Sequence, residues 1–87
     1  MTTLPPSKIN KFNENTIERK SYDLAESFSK YLPIANHRNR LGFNIYKNLT
    51  GQGDSAEMII KTGKYKLEGI EKTELINLLE AELAKLA

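Results

Sequence analysis

His37 is the chain's single histidine, and it lies beside Arg38 and Arg40 in the polar run Pro33 to Arg40. An imidazole there could serve as a general acid or base near neutral pH. A nucleophilic relay would need His37 together with one of Ser21, Ser27, Ser29 or Ser55 and with Asp23 or Asp54. Those residues share no spacing, and no nucleophile elbow is present. One histidine without cysteine does not furnish a zinc or copper site. Glu57, Glu68, Glu71 and Glu74 are numerous, but nothing in their spacing makes an acid–base pair. Gly51-Gln52-Gly53 resembles a fragment of a phosphate loop, yet no lysine follows in register, so a hairpin loop is the better reading. These residues lead to the expectation of a non-enzymatic protein with no metal and no cofactor.

The basic side chains are the stronger lead. Net charge is +2, but residues 1–50 carry a balance of +4 and residues 51–87 one of −2. Arg38, Arg40, Lys47, Lys61, Lys64 and Lys66 cluster against only Asp54 and Glu57. Together with the ring of Tyr46 they form the candidate interaction face. Basic surfaces carrying an exposed aromatic ring grip nucleic acid by phosphate contact and base stacking.

The elements that would position this face follow from periodicity. Asn15-Thr16-Ile17-Glu18 carries a capping signal, with Asn15 as N-cap. Ile17, Ser21, Leu24, Ala25, Phe28, Tyr31 and Leu32 continue at helical spacing, and Pro33 stops the helix near Tyr31. From Leu41 the period shortens to two. Leu41, Phe43 and Ile45 alternate with Gly42, Asn44 and Tyr46, the pattern of a half-buried strand. Thr50 to Ser55 is a turn cluster. Ala56 to Lys61 reads as a second strand, and Lys64 to Glu68 as a third, with Tyr65 and Leu67 inward; alternatively 56–68 is one bent strand with a bulge at Gly63.

The longest apolar pattern is the last, Ile70 to Leu86. Leu75, Ile76, Leu78, Leu79, Leu83 and Leu86 occupy an arc of roughly 160°, wider than the ~100° stripe of an ordinary surface helix. Ile76 and Leu78 are candidates for a self-association edge in a homodimer.

The expected architecture is therefore an α+β two-layer domain over residues 15–87: an N-terminal helix, a two- or three-stranded antiparallel β-meander and a C-terminal helix. Residues 1–14, with Pro5-Pro6, form a flexible arm. The element order resembles that of double-stranded-RNA-binding domains. However, Glu71-Lys72-Thr73-Glu74 is acidic where such domains meet phosphates, and no family is assigned.

At 87 residues with 39% apolar and 28% charged side chains, the chain has the composition of one globular domain. With no cysteine, no apolar leader and no membrane-length run, it is expected in the cytoplasm, off the membrane. Cofactor-free chains of this size often act by occluding a larger protein. The functional expectation is such a protein-binding domain, of the kind phages and mobile elements encode as inhibitors of host defence. The alternative is a domain that binds DNA or RNA through a basic sheet face.

Overall fold

Four helices, with no sheet, build the described residues of the protein. The computed structural model describes residues 16–86. They form α1 (Ile17–Ser27), α2 (Ala35–Leu49), α3 (Ala56–Gly63) and α4 (Lys72–Leu86). Helix covers 69% of the described residues and no strand occurs among them. The expected α+β domain with its β-meander is thus corrected to an all-helical one, and the resemblance in element order goes with it. The expected arm, residues 1–14, and the expected cap Asn15 lie outside the described residues.

Thr16 caps α1, its hydroxyl accepting from the Arg19 amide at 3.1 Å. The helix ends four residues before the expected Tyr31. Phe28, Ser29 and Tyr31 continue as turns in which each amide donates three residues back. Ser21 is fully buried, and its hydroxyl donates to the Ile17 carbonyl at 2.7 Å.

Most of the polar run expected as a connector, from Ala35 to Arg40, is instead the first turn and a half of α2, with Ile34 at its N-cap. Leu41 and Ile45, read as alternating strand positions, are also four residues apart, which puts them on one face of a helix. Both are fully buried, whereas Phe43 between them is 50% exposed. A strand would have pointed Phe43 the same way as its neighbours. α2 ends in a Schellman motif. Gly51 takes a positive φ of 81°, the Gln52 amide donates to the Lys47 carbonyl at 2.9 Å, and the Gly51 amide to that of Asn48 at 3.1 Å.

The second expected strand is α3. Ser55 caps it, accepting from the Met58 amide at 3.3 Å. Ala56, Ile59, Ile60 and Gly63 are buried at helical spacing, while Met58 is exposed. Residues 64–68, the third expected strand, form neither helix nor strand, and Lys64 opens them with a left-handed φ of 54°. The inward orientation of Tyr65 and Leu67 is retained: Tyr65 is buried and Leu67 half-buried. α4 begins after Glu71, whose amide donates to the Glu74 carboxylate at 3.1 Å, half of a capping box.

α1 and α2 pack as a hairpin. Glu26 meets Arg38 and Tyr22 lies against Gly42, so the two helices run in opposite directions. A methyl group at Gly42 would sit 2.4 Å from Cδ1 of Tyr22, and this close approach is why glycine is tolerated mid-helix. α3 packs mainly against α4. A single core joins the pairs: Leu24, Phe28 and Leu32 meet Leu41 and Ile45, then Ile59 and Ile60, then Leu75, Leu79 and Leu83. The domain is 18 Å across at its thinnest, about two helix layers.

Candidate interaction site

α2 contains no Asp or Glu; the nearest carboxylates in sequence are Glu26 and Asp54. It carries Arg38, Arg40 and Lys47 together with four asparagines. The helix divides these among three surfaces.

Toward α1, Arg38 is consumed by the fold. Its Nε sits 3.2 Å from both carboxylate oxygens of Glu26, and its Nη1 donates to the Leu32 carbonyl at 2.5 Å. This clamp closes the α1–α2 turn, and Arg38 is not part of an open face.

Toward α3, the stripe His37, Arg40 and Asn44 holds the segment 63–68, here termed the strap, which begins at the last residue of α3. Arg40 Nη1 donates to the Gly63 carbonyl at 2.9 Å, and its guanidinium lies 5.0 Å from the centre of the Tyr65 ring. The Asn44 amide donates to the Tyr65 hydroxyl at 3.0 Å. The Lys66 amide donates to Nδ1 of His37 at 2.9 Å, so the ring's proton is on Nε2. The His37 ring meets Tyr65 edge-on at 5.9 Å. Farther along, the Glu68 amide donates to the Tyr31 carbonyl at 2.9 Å. Burial, and then the Arg40 charge, hold the His37 imidazole below its usual range. Burial pushes the Tyr65 phenol up, against the Asn44 hydrogen bond and the Arg40 charge. His37 is thus a structural acceptor: the atom that a relay would give to an aspartate is taken by a backbone amide.

Toward solvent, Asn36, Arg40, Phe43 and Lys47 fall within an arc of roughly 60° at 3.6 residues per turn. Phe43 stands at one edge of this arc, between Arg40 and Lys47 along the helix, with the Lys47 ammonium 5.1 Å from the ring centre. Asn39, Arg40, Phe43 and Asn44 line a shallow concavity of about 420 Å³.

The expected interaction residues are therefore only partly brought together. Arg40, Lys64 and Lys66 share one edge, because the strap backbone bonds to His37 and Arg40. Lys47 lies two turns along α2, and Tyr46 is half-buried beside it. Lys61 is on α3, in an exposed pair with Glu57 at 2.6 Å. Arg38 faces away. On α4, Leu78 is 42% exposed, whereas Ile76 is half-buried against the core. Two residues that sequence reasoning passed over organise the site. The period of two places Phe43 on the buried side of a strand and gives Asn44 no role. A helical reading from Asn36 to Lys47 would have exposed both.

No protein family, curated protein or solved structure matches the chain. Among the described residues, no helix is long and apolar enough to cross a membrane.

Proposed function

We propose that the protein is a small, non-enzymatic binding domain that occludes part of a larger protein, and that the solvent face of α2 makes the contact. The observation that carries this reading is Phe43: a half-exposed aromatic ring between Arg40 and Lys47 on a helix face free of carboxylates. Interface anchors are typically aromatic or arginine side chains surrounded by polar ones, and Arg40, Asn39, Asn44 and Lys47 surround this ring. The cations call for a partner surface that is acidic around an apolar recess. A chain without cysteine suits the reducing interior of a cell, where an inhibitor carried by a phage or mobile element would meet its target.

The same acid-free helix supports a second reading, in which the partner is nucleic acid and Arg and Asn side chains face bases. It is the weaker one. Arg40, Lys47, Lys64 and Lys66 are four cations, and α4 with its leading turn carries Glu71, Glu74, Glu80 and Glu82. A domain of net charge +2 attracts a long polyanion poorly.

The test is to purify the tagged protein from the cell it belongs to and identify what stays bound. A stoichiometric protein partner that Phe43→Ala weakens by ~30-fold or more, with the circular dichroism unchanged, supports the first reading. Retained material absorbing at 260 nm supports the second if its log affinity falls by about 0.9 per phosphate with log salt. A partner indifferent to Phe43→Ala and Lys47→Glu removes α2 as the contact.

A further inference from the structure

Five large apolar side chains are exposed among the described residues: Ile17, Ile34, Phe43, Met58 and Leu78. Two of them have flanks of a single and opposite sign. Phe43 is bracketed on its face by Arg40 and Lys47. Leu78 is bracketed by Glu74 and Glu82, four residues to either side. We propose that the occupant of the α2 face in the purified protein is α4 of a second copy, Leu78 seating beside Phe43 and the two glutamates meeting Arg40 and Lys47.

The dimensions agree. Arg40 and Lys47 are seven residues apart and Glu74 and Glu82 eight, spans of about 10 and 12 Å along their helices. The concavity beside Phe43 is lined by Asn39, Arg40 and Asn44, with no carboxylate to repel the incoming glutamates. The other exposed apolar residues lack such a match: Met58, for example, lies between Glu57 and Lys61, which pair with each other. Glu82 already meets Lys85 at 3.2 Å, but that pair is exposed and weak, and a second cation can share or replace it. Glu74 spends one carboxylate oxygen on the Glu71 amide and leaves the other open to an incoming cation. Because the two faces differ, the contact is heterologous, and it closes as a dimer only when both reciprocal contacts form. The inference rests on the α2 face being a contact surface, but not on the existence of a larger partner.

Sedimentation velocity of the full chain decides it, from ~1 µM to ~1 mM at ~50 mM and ~500 mM salt. The expected result is a weight-average mass that rises above 9.9 kDa with concentration at low salt and falls back at high salt. Phe43→Ala and Leu78→Ala should each weaken association at least ~10-fold. Lys47→Glu alone, and Glu74→Lys with Glu82→Lys, should each weaken it too, while a mixture of these two variants should associate more tightly than either alone. Circular dichroism of every variant checks that the fold is kept. Should Glu74→Lys disturb the start of α4, Glu82→Lys is mixed with Lys47→Glu in its place. A monomer throughout at low salt overturns the proposal. So does association indifferent to both Phe43→Ala and Leu78→Ala, or a mixture no tighter than its parts. A monomer that still holds a larger partner through Phe43 would leave the functional reading standing without this one.

Discussion

The α1–α2 hairpin and the α3–strap–α4 segment are held together in different ways. The hairpin is zipped along its length by residues close in sequence, and a clamp, Glu26 with Arg38, closes a turn twelve residues long. α3 is only eight residues, too short to be stable alone. It reaches α2 chiefly through the strap, whose bonds to His37, Arg40 and Asn44 span 29, 23 and 21 residues. Both halves bury apolar side chains in the shared core, but the tie between α3 and α2 also relies on a few polar bonds between distant residues. Polar bonds of that kind contribute about 0.5–1.5 kcal/mol each, so the second half should open first.

Single substitutions test this contrast. Leu79→Ala strikes the core that both halves share. It should cost about 2–5 kcal/mol in urea unfolding, whereas Asn77→Ala on the exposed side of α4 should change stability by less than about 0.5 kcal/mol. Equal effects would mean that the face of α4 is misassigned. Next come the two close glycines. A methyl group at Gly42 would collide with the ring of Tyr22, and one at Gly63 with that of Tyr65, 2.2 Å from Cε2. Each alanine should cost about 1–3 kcal/mol. Hydrogen exchange should separate them: Gly42→Ala lowers protection in α1 and α2, while Gly63→Ala lowers it in α3 and the strap alone. Protection lost everywhere in both variants would dissolve the distinction between the halves.

Acid offers a gentler probe. In the native state His37 is a weaker base than a free imidazole, so the unfolded chain binds the proton more readily. The His37 contribution is complete above about pH 6.5, the ordinary imidazole value, and is lost as the pH falls through the lower native one. The Lys66 amide should show the loss first, as a shift in its NMR resonance. His37→Gln should flatten that dependence. The smallest effect is at Lys64, which holds a left-handed conformation (φ 54°) at the end of α3. Lys64→Gly should stabilise by up to about 1 kcal/mol, and a loss of stability there would mean that the lysine side chain contributes more than its strain costs.

α4 was legible in the sequence because its signals agree. Leu75, Leu79 and Leu83 mark the stripe, and Glu71 and Glu74 mark the start. α2 was not, because its local signals conflict with its fold. Gly42 and the polar run before Arg40 both argue against a helix, and every fourth residue satisfies a period of two as well as a helical one. The deciding residue was Phe43, whose exposure only tertiary structure reveals. In α3, Ser55 was a readable cap and Ala56, Ile59, Ile60 and Gly63 a readable stripe, outweighed by two adjacent β-branched isoleucines. As for the site, His37 and Arg40 drew notice by type alone. Their common task could not be read, since nothing local links Asn44 to a tyrosine 21 residues away.

The contact between Tyr22 and Gly42 also acts as a register key. Two helices that bury leucine and isoleucine stripes can slide past each other by one turn and still cover apolar surface. Here such a slip would carry the ring of Tyr22 onto Arg38 or Tyr46, four residues to either side of the notch. Only one alignment of the hairpin lets the ring rest against bare backbone. The glycine that weakens α2 as an isolated helix therefore selects the single offset at which α1 can dock, and with it the side of α2 left facing outward.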